Sequence, residues 1–282
     1  MIRVGVLGAA GRMGRLVCQA VADDSDLALV AGINPSFHGE HLGRMIGHPD
    51  VDVRISEELD TLLQAETEVA VDFTRPDAVM DNVRWAIDHA IHIVVGTTGL
   101  TAADLEEIQV LIADDGNDSN VVVASNFAIG AVLLQRFAEQ AARFFPAAEI
   151  IELHHEGKLD APSGTALATA ERMVRSRAEA WRGPGDELLQ GVRGGDVQGV
   201  RIHSVRLPGL IAHQEVIFGG LGQTLTIRHD SSQRVSFMPG VMLAIKSVVS
   251  RPGLTVGLEP LLGLGEPDGQ ADSPPLPTRN AT

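Results

Sequence analysis

A chain of 282 residues, 44% hydrophobic and 21% charged, is long enough for two domains and too apolar to be disordered through its bulk. It holds ten histidines, no tyrosine and one cysteine, Cys18. That excludes a tyrosine-dependent dehydrogenase, a disulfide framework and a cysteine-built zinc site, and leaves proton transfer to histidine, lysine or a carboxylate. The net charge of −15 argues against nucleic acid or an anionic membrane as partner, so a small anionic ligand would need a local cluster of donors.

The N-terminal segment Met1-Ile2-Arg3-Val4 leads into an apolar run too short and too interrupted by glycine for a signal peptide. No stretch of about 18 apolar residues follows, so a cytoplasmic protein without a membrane span is expected, and no metal site is expected either.

In chain order, β-branched runs at Arg3–Gly8, Leu27–Ile33, Val69–Phe73, Ile91–Val95 and Val121–Ala124 read as strands. Helical segments such as Arg12–Ala22 and Arg75–Ala90 lie between them, the second with Pro76 at its first turn. This alternation predicts an α/β fold, a Rossmann-type doubly wound parallel sheet over residues 1–127. Beyond Phe127 the texture changes. Ala128–Phe145 reads as a long helix, Ala148–His154 as a strand and Ser163–Trp181 as a helix. Val200–Ser204, Gln214–Phe218 and Thr224–His229 read as an antiparallel meander, so that residues 128–234 form a second, α+β domain with a mixed sheet. The apolar helical segment Val235–Val249 is expected to rejoin the first domain, up to residue 265. Residues 266–282 carry four prolines and little to bury, the composition of a disordered tail.

The first strand runs into Gly8-Ala9-Ala10-Gly11-Arg12-Met13-Gly14 and then a helix. Glycines there let the backbone turn sharply and approach a pyrophosphate that faces the helix N-terminus. Asn34, at the end of the second strand, stands where such folds place the acidic residue that binds the adenosine ribose. It can hydrogen-bond a hydroxyl without repelling a 2′-phosphate, so either NADPH or NADH is expected as cofactor. Asp72-Phe73-Thr74-Arg75-Pro76, Gly96-Thr97-Thr98-Gly99 and Ala124-Ser125-Asn126-Phe127 end further strands, and in a parallel sheet these ends converge on the cofactor crevice.

The densest chemistry lies between Glu152 and Ala166. A strand delivers His154 and His155 to its end, the following loop adds Lys158, and a new helix starts at Ser163-Gly164-Thr165. Histidine and lysine donate protons near neutral pH once tuned, and a helix start suits a carboxylate. Adjacent strand residues face opposite ways, so one histidine of the pair is expected to be structural or solvent-facing unless the strand ends there.

The glycine turn, the D-F-T-R-P and G-T-T-G strand ends and the H-H-x-x-K-x-D-A-P-S-G-T-A segment together resemble the dihydrodipicolinate (4-hydroxy-tetrahydrodipicolinate) reductases, in order from residue 2 to about residue 249. The resemblance implies His154 as general acid/base, Lys158 as proton donor, and His155, Gly164 and Thr165 as substrate-binding residues. It places Gly8, Ala9, Ala10, Gly11, Arg12 and Met13 at the pyrophosphate, and Gly96, Thr97, Thr98, Ala124, Ser125, Asn126 and Phe127 near the nicotinamide. It further implies a small dicarboxylate substrate, a homotetramer built through the second-domain sheets, and a place in lysine and diaminopimelate biosynthesis. The chain departs from the family pattern at Asn34, where an acidic residue is common, and at Glu156-Gly157, where some members are basic. The alternatives are a related two-domain amino-acid-pathway dehydrogenase and an NAD(P)H-binding redox sensor, neither of which needs His154 and Lys158 together.

Overall fold

The computed structural model describes residues 1–113, 117–177, 181 and 187–264. The first half alternates strands and helices: β1 (Ile2–Leu7), α1 (Arg12–Asp23), β2 (Leu27–Ile33), α2 (Leu42–Met45), β3 (Ile55–Ser56), α3 (Asp60–Gln64), β4 (Val69–Asp72), α4 (Val79–Asp88), β5 (His92–Val95), α5 (Ala102–Ile112) and β6 (Val121–Val123). Gly14, Val17, Cys18 and Val21 form one buried stripe on α1 at helical spacing, which turns that face onto the sheet. Strands β4 and β6 are buried at every residue, as expected of parallel strands covered on both faces. A capping box opens α5, with Thr101 Oγ1 accepting from the Asp104 N–H and Asp104 accepting from the Thr101 N–H.

The second half contains α6 (Ile129–Ala142), β7 (Ala147–His154), α7 (Gly164–Arg175), β8 (Gly195–Val197), β9 (Val200–Arg206), β10 (Ala212–Gly220), β11 (Gln223–Ser231), α8 (Met238–Val248) and β12 (Leu254–Val256). Two sheets result. Seven parallel strands run in the order β12-β6-β5-β4-β1-β2-β3, and five mixed strands in the order β11-β10-β7-β9-β8. The doubly wound sheet and the second mixed sheet are those the sequence predicts. Helix α8 buries Val241, Ala244, Ile245 and Val248 in one core with Val4, Val17 and Val71, and β12 extends the seven-stranded sheet beside β6.

The meander expected from the late strands does not form. β10 and β11 do make an antiparallel hairpin, but β7 lies between β10 and β9, antiparallel to the first and parallel to the second. Burial explains the order. Ile150 of β7 pairs with Ile202 and Val216, so three buried apolar positions sit side by side beneath α6 and α7. A fully buried isoleucine contributes roughly 1.5–3 kcal/mol, which favours the apolar β7 at the centre over the polar β11. That leaves β11 at the edge.

Three helices are shorter than their sequence patterns suggest, the expected Ala128–Phe145 helix being helical over Ile129–Ala142. The Arg75–Ala90 segment begins its helix only at Val79, because Arg75 and Pro76 enter a turn in which the Ala78 and Val79 N–H groups reach the Arg75 carbonyl at 3.0 and 3.1 Å. It stops at Asp88, where Ala90 takes the left-handed conformation at φ 54°. Of the expected Ser163–Trp181 helix, Gly164–Arg175 is helical; Trp181 is outside it and buried, with the Arg177 guanidinium 4.3 Å from its ring centroid, and 178–180 lie outside the described residues. The segment 266–282, expected as a tail, also lies outside the described residues.

Candidate active site

The glycine turn is built for close approach. Gly8 adopts φ +79°, and a Cβ there would fall 2.5 Å from the Phe73 carbonyl oxygen; one on Gly14 would fall 2.0 Å from the Gly8 carbonyl oxygen. Gly11 caps α1 without any side-chain hydrogen bond. The first-turn N–H groups, those of Arg12 and Met13 among them, therefore have no intrahelical acceptor and form a ready anion cradle. Ala9 and Ala10 are buried beside it, with the Ala9 N–H donating to Ile33 O at 3.1 Å. These residues fit a dinucleotide pyrophosphate. Asn34 extends β2, and its Oδ1 accepts from the Ser36 N–H at 3.1 Å, which leaves the side-chain NH2 as its available donor. The Arg15 guanidinium lies 5.7 Å from the ring centroid of Phe37, in the loop that follows Asn34.

Along the carboxyl edge of the sheet a buried carboxylate organises two turns. Asp72, fully buried, accepts from the Thr74 N–H at 2.9 Å, the Thr74 hydroxyl at 2.8 Å, the Thr97 hydroxyl at 2.6 Å and the Asn82 amide at 2.7 Å. The Thr97 hydroxyl is thereby committed to the protein, so Thr97 offers the crevice its backbone, whereas Thr98 is exposed. Gly96 makes room for Phe73, whose ring a Cβ would meet at 2.2 Å, and Phe73 in turn tilts against Phe127 at 5.8 Å. Ala124 and Phe127 are buried, Ser125 is exposed, and Asn126 Oδ1 is held by the Ala128 N–H at 2.9 Å. Thr97, Thr98, Ser125 and Asn126 form one side of a cleft whose other side includes Gln135 of α6 and Arg172 of α7.

Asn126 also borders a second cavity, whose other polar walls include His154, Thr165, His213, His229 and Ser231. Here the loop after β6 meets the second sheet. His229 fits because residue 130 is glycine; a Cβ on Gly130 would sit 2.4 Å from the imidazole. Burial holds His229 below the ordinary histidine range, against the opposing pull of Asp230, which keeps it neutral near pH 7. His213 Nδ1 bonds to Asp230 Oδ1 at 2.7 Å, and its Nε2 accepts from the Ile211 N–H at 3.3 Å. Ser163 caps α7 by accepting from the Ala166 N–H at 3.2 Å, which leaves the first N–H groups of that helix, including those of Gly164 and Thr165, as donors for an anion.

Behind His154 lies Glu152, on the same face of β7 and 0% exposed. Its Oε2 meets His154 Nδ1 at 2.5 Å and Arg206 Nη1 at 3.0 Å, and its Oε1 meets Arg206 Nη2 at 2.8 Å and the Ser163 N–H at 3.2 Å. Burial pushes the Glu152 carboxyl up, but the bonds from His154, Arg206 and Ser204 outweigh it and bring it down to about 2. It is ionised at any physiological pH.

Of the residues singled out from the sequence, His154, Thr165 and Asn126 come together on this cavity. Lys158, His155 and Gly164 are not part of its wall. Lys158 Nζ is held by both oxygens of Asp160 at 2.8 Å, and the His155 carbonyl accepts from the Lys158 N–H at 3.1 Å. Sequence reasoning missed Glu152, Arg206, His213 and His229. Glu152 carried a signal, a charge alternating with Ile150 and His154 on the buried face of a strand. The other three come from β9, β10 and β11, distant in sequence from His154, and no local pattern marks them. Among the described residues no cluster of side chains could hold a metal ion, and no helix is long and apolar enough to cross a membrane.

An open dinucleotide turn on a parallel sheet, with a histidine cavity beside the strand ends, makes this an oxidoreductase of the two-domain, nicotinamide-dependent class. Residues 2–127 match the family model for the dihydrodipicolinate reductase N-terminus, and residues 130–262 match that for its C-terminus. The chain is 51% identical over 267 residues to the 4-hydroxy-tetrahydrodipicolinate reductase of Nocardia farcinica, covering 93% of this chain and 99% of that one. It is also 51% identical over 270 residues to the enzyme of the same name from Cutibacterium acnes, covering 94% and 100%. Among solved structures, a dipicolinate-bound dihydrodipicolinate reductase from Paenisporosarcina sp. TG-14 superposes with a TM-score of 0.80 at 40% identity, covering 92% of this chain and 99% of that one. An amine dehydrogenase from Mycobacterium smegmatis, at 13% identity and a TM-score of 0.60, shares the fold alone. The chain belongs to the dihydrodipicolinate reductase family.

Proposed function

We propose that this protein reduces 4-hydroxy-tetrahydrodipicolinate to tetrahydrodipicolinate with NAD(P)H and with loss of the 4-hydroxyl as water, a step of lysine and diaminopimelate biosynthesis. The observation that carries the reading is His154, held by a buried carboxylate and presented to a cavity that also touches Asn126 at the end of β6. The relative from Paenisporosarcina is named as binding dipicolinate, a small dicarboxylate. The donors here suit such a ligand: the first turn of α7, with Gly164 and Thr165, receives one carboxylate, and His155 lies on the neighbouring loop.

When bound, the nicotinamide supplies the hydride. Gly8 to Met13 hold the pyrophosphate, Asn34 the adenosine ribose, and the turns Gly96–Thr98 and Ala124–Phe127 border the nicotinamide. His154 exchanges a proton at Nε2, because Nδ1 is already engaged by Glu152. Lys158 donates a proton to the ring or to the leaving hydroxyl, and it becomes available only when its bond to Asp160 opens. Substrate carboxylates are the competitors that loosen it.

Asn34 carries no charge, and Arg15 stands near the loop that follows it, so both NADPH and NADH serve. The protein works in the cytoplasm, alongside the dinucleotide pool. It assembles as a homotetramer through the face of the second sheet opposite α6 and α7, where Ile151, Leu153, Val205 and Ile217 share one side and are only half-buried. The chain divides functionally into a cofactor domain (1–127, completed by 235–265) and a substrate domain (128–234). A sedimentation measurement that finds monomer overturns the assembly. For the reaction, the test is a coupled assay that generates the unstable substrate in place and follows oxidation of each nucleotide. Oxidation of at least one is expected, and none with either overturns the proposal.

A further inference from the structure

We propose that Glu152 is the positioning residue of the active site, fixing the tautomer and orientation of His154, with Arg206 as the counter-charge that makes the buried carboxylate tolerable. The inference rests on the reading of His154 as the proton-exchanging group. Besides the Ser204 hydroxyl, four donors reach Glu152, two at each oxygen, and three of these four can only donate, the two Arg206 nitrogens and the Ser163 N–H. A carboxylate so surrounded is an acceptor only. The short contact from His154 Nδ1 at 2.5 Å therefore requires a proton on Nδ1, and in the neutral ring the lone pair falls on Nε2. Among the described residues Nε2 has no hydrogen-bond partner, and the ring borders the cavity.

The same carboxylate sets distances as well as protonation. Through Ser163 it ties the end of β7 to the start of α7, and through Arg206 it ties β7 to the end of β9. Arg206 Nη2 also donates to the Asp160 carbonyl at 2.7 Å, so the loop bearing Lys158 is anchored to the same group. The Leu207 N–H closes the arrangement on the His154 carbonyl at 3.1 Å. A charge buried this deeply without donors would be too costly to keep, and its retention beside a cavity histidine is what a positioning role requires. Carboxylates that orient metal-bound histidines from behind in the same way are worth about 10–100-fold, and the same order is expected here.

The test compares wild type with Glu152→Gln and with the double variant Glu152→Gln/Arg206→Met, which removes the unpaired cation that could unfold the single variant. Two readouts are taken on folded protein: nitrogen-15 NMR of the histidine rings, with His154→Ala identifying the His154 signals, and steady-state kinetics in the coupled assay. In wild type the neutral His154 ring is expected to carry its proton on Nδ1. In the variants the proton moves to Nε2 or is shared, and kcat falls by about 10–100-fold while KM stays within about twofold. An unchanged tautomer, an unchanged kcat, or a loss confined to KM overturns the positioning role. The NMR readout does not depend on turnover, so it stands even if His154→Ala retains full activity, a result that would sink the reading of His154 and not the geometry.

Discussion

Protonating Glu152 should destabilise the protein, and the size and pH range of the effect follow from its contacts. In the unfolded chain this carboxyl titrates near its ordinary 4.5, and in the folded protein it is drawn down to about 2. A depressed folded-state value means stability that is complete above about pH 4.5 and is lost as the pH falls toward 2. At about 1.4 kcal/mol for each tenfold change in proton affinity, the full contribution is about 3 kcal/mol, of which about 2 kcal/mol is gone by about pH 3. The assay is urea unfolding at a series of pH values, run on wild type and on Glu152→Gln, which cannot titrate at this position. The variant is less stable at neutral pH because Arg206 loses its partner, and the gap between the two proteins should narrow by about 2 kcal/mol between about pH 5 and pH 3. A constant gap over that range would refute the claim that Glu152 is ionised and held by these donors.

Lys158→Ala should lower kcat by about 10²-fold or more, and near-wild-type turnover in folded protein would remove Lys158 from the reaction. Asp160→Ala, at an exposed position, should leave urea stability within about 0.5 kcal/mol, and a larger loss would show that the pair holds the loop together. Gly130→Ala should push His229 out of place and raise KM for the substrate with the fold intact; an unchanged KM would exclude His229 from the binding cavity. Fluorescence titration should find affinities for NADPH and NADH of similar order, and rejection of NADPH by about 100-fold would show that Asn34 and Arg15 do not accommodate the 2′-phosphate.

The seven-stranded sheet was largely legible because its inner strands are mostly apolar runs that a parallel sheet buries on both faces, Val69–Val71 among them. Its edges were not. β3 has two residues and β12 three, too few for any periodicity, and each exists only by pairing with a neighbour. In the second sheet the strands alternate in similar ways, so their spacing could not say that β7 separates β9 from β10; the packing of Ile150 against Ile202 and Val216 decides it. The site shows the same division. Local motifs pointed to the glycine turn and His154, because those residues sit beside the elements that position them. His213 and His229 reach the cavity from a hairpin distant in sequence, and no local pattern marks them. Lys158 and Asp160 stand two apart in one motif, yet their mutual ion pair becomes visible only when the loop is folded.

The measurement that tests the account most directly is the coupled assay run on wild type and His154→Ala side by side, with nucleotide affinity determined for both. Wild type is expected to oxidise nucleotide, and the variant to lose about 10²-fold or more in kcat with nucleotide affinity unchanged within about twofold. Equal turnover by the two proteins, or no oxidation by wild type with either nucleotide, would contradict the account.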